Sequence, residues 1–349
     1  MTGSMFSRPI RFALLAALFL FSAAGMRTIH RNNSQAIAIK PLALNPNNKS
    51  QKNVGALIFR GAWELRSDNN DFGGISALLA LPGGRFIGVS DAGALIGFGL
   101  TRNNRIDRPF IAGLPGAVGP GVDYGDRDSE SLAFDPATRR FWVSYEGKHA
   151  VRRFSPSFVR IDGKITTVEM KKWGSNSGGE ALIRLPDGRF ILFSEGKDRA
   201  DGSYEALFFS GDPVEPGTRH FTFGYRPPTG YKPTDAAMLP DGRLLLLTRR
   251  IAFPDGFSAK LVVLNPSQIK KDEAIQGRVI AVLAAPLLVD NMEGIAITQE
   301  EDRTIIWMIS DNNFNIWQRT ILMKFALNLP PEKDKKKPEA ASAPGFESL

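Results

Sequence analysis

The sequence predicts an all-β protein, specifically a β-propeller of four-stranded antiparallel blades. Composition is the first indication, because 34 Gly and 23 Pro in 349 residues suit short strands joined by tight turns. The second is a strand–turn–strand unit that recurs at intervals of about 50 residues. The third is that no amphipathic helix of ten or more residues separates the strands, which disfavours a doubly wound α/β fold.

The repeated unit is an apolar strand end, a turn rich in Pro, Asp or Gly, and a second apolar strand. Each of the five copies closes with an arginine, and these arginines are Arg85, Arg140, Arg189, Arg243 and Arg303. Their spacings of 55, 49, 54 and 60 residues match the length of one blade. The last copy has three strands, so we expect Ala56–Leu65 to supply the fourth and close the ring. We count five blades and allow a sixth if a long inter-blade segment hides one.

The N-terminus has the pattern of an export signal. Residues 1–25 combine Arg8 and Arg11 with an apolar run from Phe12 to Phe21 and small residues around Ala24. The run is shorter than the roughly 20 residues that a membrane-spanning helix needs. We therefore expect cleavage and a periplasmic or secreted protein with no stable membrane span. The alternative is that the uncleaved segment anchors the chain in a membrane.

Three further segments follow along the chain. Residues 26–53 are rich in Asn, Gln and Ser and are interpreted as a linker. Residues 54–329 carry the strand pattern and form the propeller domain. Residues 330–349 are rich in Lys, Pro and Ala, a composition that predicts a disordered tail.

Composition excludes several function classes. The chain has no cysteine, so it has no disulfide framework, thiolate metal site or cysteine nucleophile. Three histidines, His30, His149 and His220, argue against a multi-histidine zinc site. The isoelectric point near 9.7 raises nucleic-acid binding as a hypothesis. Because the basic residues are scattered and match no nucleic-acid motif, we expect no such partner.

Each innermost strand opens with a small polar or acidic cluster. The recurring position is taken by Ser76, Glu130, Glu180, Asp235 and Glu293, at spacings of 54, 50, 55 and 58 residues. Equivalent positions on inner strands point into one channel, so four carboxylates should converge there. Their mutual repulsion requires a cation, bound protons or basic partners. Oxygen ligands suit Ca²⁺, and Mg²⁺ or Mn²⁺ less well. The alternative is that these residues cap turns or line a water-filled channel without a metal.

A second series of polar residues follows the second strand of each unit. It comprises Asp91, Glu146, Glu195, Arg249 and Asp311. Antiparallel strands return the chain to the same face, so these loops should surround the carboxylates, and Asp311 joins the predicted metal ligands. The loops also carry groups that we predict to bind a small anionic substrate, namely Lys148, Lys197, Arg199, Arg249, Arg250 and Asn312.

These clusters carry a family resemblance. The stretches concerned are Phe72-Gly73-Gly74-Ile75-Ser76, Asp128-Ser129-Glu130-Ser131-Leu132-Ala133, Gly179-Glu180-Ala181-Leu182, Pro233-Thr234-Asp235, Asn291-Met292-Glu293-Gly294-Ile295-Ala296 and Ser310-Asp311-Asn312-Asn313-Phe314. The body resembles the "esterase-like activity of phytase" family, also called phytase-like domain proteins, which are exported bacterial propellers. The resemblance implies hydrolysis of an ester or phosphoester, with calcium as in propeller phytases.

The leading functional hypothesis is therefore a metal-dependent hydrolase that uses metal-activated water. We expect Glu130, Glu293 or His149 to provide acid–base catalysis. A serine esterase is disfavoured because the sequence contains no Gly-x-Ser-x-Gly elbow. The alternative is a non-catalytic envelope propeller in which a structural calcium ion supports recognition of a glycan, lipid head group or protein.

Overall fold

The strands assemble into five sheets arranged in a ring. The computed structural model describes residues 32–117, 121–174, 177–196 and 199–330. Within those ranges, consecutive strands pair through antiparallel hairpins, and each sheet is one blade. The fold is a five-bladed β-propeller, as predicted, and no described segment forms the sixth blade that the sequence allowed.

The first described strands belong to the last blade. They are β1 (Ala38–Pro41), β2 (Asn53–Val54) and β3 (Leu57–Arg66). The first blade then runs from the centre outward as β4 (Ile75–Leu81), β5 (Arg85–Ser90), β6 (Ala94–Leu100) and β7 (Ile106–Gly113). The second blade follows in the same order as β8 (Ser129–Asp135), β9 (Arg140–Tyr145), β10 (Ala150–Phe154) and β11 (Ile161–Ile165).

The remaining blades repeat this arrangement. The third consists of β12 (Gly179–Arg184), β13 (Phe190–Ser194), β14 (Tyr204–Phe209) and β15 (His220–Tyr225), with β19 (Ala274–Ile275) added in parallel at its edge. The fourth consists of β16 (Lys232–Met238), β17 (Leu244–Ala252), β18 (Gly256–Leu264) and β20 (Arg278–Ala284). The fifth contributes β21 (Met292–Glu300), β22 (Arg303–Ser310) and β23 (Thr320–Leu327). Helical structure in the described ranges is limited to 3-10 turns at Tyr124–Asp126, Pro156–Phe158, Met170–Lys172 and Pro266–Gln268.

An N-terminal strand closes the ring. Strand β3 pairs antiparallel with β23, from Leu65 opposite Thr320 to Leu57 opposite Leu327. This confirms that the segment around Ala56–Leu65 completes the last blade. Strand β1 pairs with the outer edge of β3, so part of the segment interpreted as a linker lies on the sheet. The predicted export signal and the predicted tail after Pro330 lie outside the described residues.

Apolar side chains pack between neighbouring blades. The clusters among the described residues each join two adjacent sheets. Between the last and first blades, the ring of Trp307 lies 4.9 Å from that of Phe86 and 6.4 Å from that of Trp63. Burial of each large apolar side chain stabilises the fold by about 1.5–3 kcal/mol. The rigid ring that results holds the inner strands around a common channel.

The channel has two chemically different halves. Inner strands β4, β8, β12, β16 and β21 contact one another in a closed circle. Towards the β4–β5 hairpin end, the channel contains a cavity of about 170 Å³ lined mainly by apolar residues such as Leu78, Leu132 and Ile295. The polar residues of the inner strands lie at the opposite end. Among the described residues, no helix is long and apolar enough to cross a membrane.

Candidate metal centre

The inner strands share one irregularity at the polar end of the channel. In every blade the pairing register slips by one residue, and the residues skipped are Ser76, Glu130, Glu180, Thr234 and Glu293. Such a β-bulge leaves the extra residue unpaired and changes the direction of its side chain. In four blades the position predicted from the sequence spacing is therefore the bulged residue of the inner strand. In the fourth blade the equivalence is wrong by one residue, because Thr234 is skipped and Asp235 pairs with Leu247.

Asp235 binds main-chain donors. Its Oδ1 accepts the amide of Ala236 at 2.8 Å, and its Oδ2 accepts the amide of Ile295 on β21 at 2.9 Å. The Leu78 amide also bonds to this carboxyl group. Burial raises the pKa of Asp235 well above its usual range despite these bonds. This predicted metal ligand therefore ties three inner strands together.

The second series of polar residues lies beside the bulges. Antiparallel pairing brings the end of each second strand next to the start of the inner strand, for example Ser194 opposite Gly179. These strand ends add the carboxylates of Asp91, Glu146 and Glu195, which the spacing places around the cluster but which are not among the ligands predicted from sequence. Asp128, just before β8, is also not among those ligands. These four carboxylates share one feature that the sequence could reveal. Each lies within one residue of a strand end on the same face of the ring.

Two groups of three carboxylates have the spacing of a cation site. In the group Asp128, Glu130 and Glu146, one oxygen from each residue lies within 4.8 Å of the others. The group Glu146, Glu180 and Glu195 meets the same limit, so Glu146 belongs to both. Glu146 is held at this junction by the Gly178 amide, which donates to its Oε1 at 3.3 Å. The Gly147 amide donates to Oδ2 of Asp128 at 3.0 Å.

The electrostatics of the cluster favour protons or cations. Burial, followed by repulsion from neighbouring carboxylates, raises the pKa of Glu130 and of Glu180 well above the usual range. The same two causes raise the pKa of Asp91 to about 7 and that of Glu146 to about 7. Burial and repulsion from Asp91 also raise the pKa of Asp311 well above its usual range.

Few cations offset this charge within the described residues. Nε of Arg249 lies 2.7 Å from Oε1 of Glu293, and Nζ of Lys232 lies 3.0 Å from Oε1 of Glu195. The other oxygen of Glu195, Oε2, is buried and has no hydrogen-bond partner among the described residues, and the same holds for Oδ1 of Asp91. Buried oxygens without a donor are the positions that a bound cation would satisfy. The donor set therefore fits a hard divalent ion.

Most of the patterned region matches one family model. That model, described as phytase-like with the "esterase-like activity of phytase", matches residues 70–314, which is more than half of the chain. The chain belongs to the phytase-like family. No curated protein matches its sequence.

Solved structures resemble this phytase-like chain only weakly. An exo-1,5-α-L-arabinanase from a bovine ruminal metagenomic library is 14% identical, with 76% of this chain and 97% of that chain covered and a TM-score of 0.47. A putative 6-phosphogluconolactonase from Bacteroides fragilis is 9% identical, with coverages of 81% and 78% and a TM-score of 0.38. Likeness at this level supports no conclusion about fold or activity.

Most of the side chains predicted to bind substrate contact nearby residues of the phytase-like propeller instead. Nζ of Lys148 lies 2.7 Å from Asp123, and Arg199 donates to the carbonyl of Asp272 at 2.8 Å. Arg250 is 4.0 Å from Asp255. Lys197 lies outside the described residues. Of the predicted cations that are described, Arg249 is the one that enters the carboxylate cluster.

The remaining predicted residues organise the surrounding loops. Oδ1 of Asn312 accepts the amide of Gly74 at 3.0 Å, and Oγ of Ser76 donates to the carbonyl of Gly74 at 3.2 Å. Gly74 has a φ of 60°, and a β-carbon there would collide with Oδ1 of Asp91. The amide of His149 donates to the carbonyl of Glu146 at 2.9 Å. The absence of a side chain at Gly74 thus makes room for the Asp91 carboxylate.

Proposed function

We propose that this phytase-like propeller is a divalent-metal-dependent hydrolase of an ester or phosphoester. The observation that carries the proposal is the group Glu146, Glu180 and Glu195, whose carboxylates approach within 4.8 Å and include the buried, unpartnered Oε2 of Glu195. An all-oxygen donor set favours Ca²⁺ over Mg²⁺ or Mn²⁺. These three residues would hold the ion, which differs from the ligand set expected from sequence.

Glu293 and Asp235 are less suited to that role. The Glu293 carboxylate is already neutralised by Arg249, and Asp235 is occupied by main-chain amides. Glu180 and Glu195 are buried, whereas Glu146 is only partly buried. One side of the group therefore faces a region that a substrate can reach.

The adjoining pair Asp128 and Glu130 is suited to proton transfer. A bound divalent ion would lower the pKa of a water molecule and polarise an ester oxygen. Glu130, whose pKa is raised well above its usual range, donates a hydrogen bond to Asp128. The Tyr124 hydroxyl also bonds to Asp128. In hydrolysis, water loses a proton as its oxygen bonds to the acyl or phosphoryl centre, and the leaving oxygen gains one. The pair can accept the first proton on Asp128 and deliver the second from Glu130.

Calorimetry on the full chain tests the metal site and the chemistry separately. We expect Ca²⁺ to bind the wild type. The variants Glu195→Gln and Glu180→Gln should each lose Ca²⁺ affinity by roughly tenfold or more. The control Asp187→Asn, in a distant hairpin, should bind Ca²⁺ like the wild type. Glu130→Gln should retain much of the binding but lose turnover of p-nitrophenyl acetate or p-nitrophenyl phosphate by roughly 100-fold or more.

Two results would overturn this assignment. Failure of the wild type to bind Ca²⁺, Mg²⁺ or Mn²⁺ would remove the metal site. Binding without turnover of either substrate would favour the non-catalytic propeller, in which the ion is structural.

We also propose that the chain is exported, on the basis of the signal pattern in residues 1–25. N-terminal sequencing of the protein recovered from the periplasm or medium tests this, with cleavage near Ala24 expected. An intact N-terminus on membrane-bound protein would support the uncleaved anchor instead.

A further inference from the structure

Large apolar side chains protrude on the face of the ring that carries the carboxylates. Phe253 lies between β17 and β18 and is 89% exposed. Ile316 and Trp317 lie between β22 and β23 and are 89% and 82% exposed. Both connections leave the ring where Lys232 pairs with Arg249 and Met292 pairs with Ser310, at the bulged ends of the inner strands. Two adjacent blades therefore project apolar tips from one face.

The exposed aromatic residues of the described chain are confined to this face. They are Tyr124, Phe253, Phe314 and Trp317. Tyr124 precedes the bulged start of β8, and Phe314 lies against Gly74 before β4. An exposed apolar surface gathered on one side marks a site of interaction, whereas isolated exposed residues do not.

The chemistry of the tips fits a lipid bilayer. Ile316 has no ring to stack on a sugar, and the three tip side chains are 82–89% exposed, so they protrude from their loops. Trp and Phe favour the membrane–water interface, where their rings are partly buried. Arg250 and Arg319 flank these loops with side chains 39% and 40% exposed, and each is 4.0 Å from its nearest carboxylate partner. Such weakly paired cations can contact anionic head groups.

The path of the chain provides an independent indication. The amide of Asn32, the first described residue, donates to Oδ1 of Asn70 at 2.7 Å, and its carbonyl accepts the amide of Asn70 at 3.2 Å. Asn70 lies between β3 and β4, a connection at the face that carries the carboxylates. The described chain therefore begins on this face, at Asn32, which follows the apolar run Phe12–Phe21 by 11 residues in sequence. A bilayer that held this run as an uncleaved anchor would lie on the side of the propeller that carries the tips.

We propose that Phe253, Ile316 and Trp317 insert into the interface of a lipid bilayer and dock the propeller with its carboxylate face towards the head groups. Docking goes beyond the proposed hydrolysis and requires neither metal nor turnover. Most carboxylates of the cluster are buried and oppose docking weakly, whereas Asp255, in the same loop as Phe253, is 68% exposed.

Trp317 provides a local measurement. The other four tryptophans, Trp63, Trp142, Trp173 and Trp307, are at most 5% exposed. Vesicles of brominated phosphatidylcholine mixed with phosphatidylglycerol should therefore quench fluorescence of the full chain through Trp317, and Trp317→Phe should abolish that quenching. In vesicle co-sedimentation, Phe253→Ser/Ile316→Ser/Trp317→Ser should lower lipid affinity by roughly tenfold or more.

A matched control substitutes three exposed valines away from the tips, Val159→Ser/Val279→Ser/Val282→Ser, and should bind vesicles like the wild type. The N-terminal apolar run is the same in every variant, so differences report the tips. Unquenched Trp317, or equal binding by the tip variant and the wild type, would overturn the proposal. Trp317 shielding that rises with protein concentration without lipid would overturn it in favour of contact between two copies of the chain.

Discussion

Gly178 lies directly against Glu146, the carboxylate shared by the two acidic groups. A β-carbon at Gly178 would fall 2.6 Å from both Cα and Cβ of Glu146. The Gly178 amide also donates to Oε1 of Glu146. The start of β12 in the third blade thus positions a residue that follows β9 in the second.

Substituting Gly178→Ala should displace Glu146 and separate both carboxylate groups. We expect a loss of stability of about 1–3 kcal/mol from overpacking and a decrease in Ca²⁺ affinity of roughly tenfold. Gly211→Ala is the control, because the nearest atom to its β-carbon, Oγ1 of Thr218, is 3.9 Å away. Calorimetry and denaturant unfolding measure the two effects. Wild-type Ca²⁺ affinity in Gly178→Ala would contradict the role given to Glu146.

Stability without a divalent cation should decrease as pH rises. The unfolded pKa values are near 3.8 for Asp and 4.5 for Glu, whereas Asp91 and Glu146 have a folded pKa of about 7. Between these values the folded state binds more protons than the unfolded state, so the free energy of unfolding falls with increasing pH. Ca²⁺ at the proposed site would replace the protons. It should raise the melting temperature by several degrees at about pH 8 and by less at about pH 5.

Thermal unfolding in EDTA and in Ca²⁺ at both pH values measures this dependence. Glu146→Gln removes one of the titrating groups and should flatten the pH dependence in EDTA. Constant or rising stability from acid to neutral pH in EDTA would contradict the proposed proton competition.

The ring could be predicted from sequence because its signals are local. Each hairpin turn and apolar strand is encoded within a few residues, and β3 was identifiable because the last unit lacked one strand. Glu130 could be recognised because it recurs at the blade spacing, at the start of a locally encoded strand. The bulge at Thr234 could not be predicted from spacing. The acidic residue there, Asp235, is the next one along the chain, and a register slip of one residue does not change the blade-to-blade spacing noticeably.

The grouping of the carboxylates depends on contacts between blades. Glu146 and Glu180 are far apart in sequence and meet because the second and third blades are neighbours. Spacing places Lys148 on the face that carries the carboxylates, but a long exposed side chain pairs with the nearest acid, here Asp123. The face that carries the carboxylates is therefore encoded locally in the sequence, whereas the grouping of the carboxylates depends on contacts between blades.

Asp235 should prove structural. Replacing its carboxylate with alanine leaves the buried amide of Ile295 without its acceptor, so Asp235→Ala should destabilise the protein by about 1–3 kcal/mol. Its Ca²⁺ affinity should remain within roughly twofold of the wild type. Denaturant unfolding and calorimetry provide the two measurements, with Asp187→Asn as control. Loss of Ca²⁺ binding in an otherwise stable Asp235→Ala protein would instead make Asp235 a ligand.

Arg249 should be essential to the folded cluster. Its guanidinium lies 2.7 Å from Glu293, and nearby Glu195 and Glu180 also stabilise its charge. Arg249→Met leaves Glu293 buried without its cation, at a cost of about 3–5 kcal/mol. Adding Glu293→Gln to this variant should recover much of that loss, because the unpaired charge is gone. A double-mutant cycle of unfolding free energies measures this coupling. If the losses of unfolding free energy in Arg249→Met and Glu293→Gln simply add in the double variant, the ion pair does not hold the cluster together. In that case excess Ca²⁺ should stabilise Arg249→Met no more than the wild type.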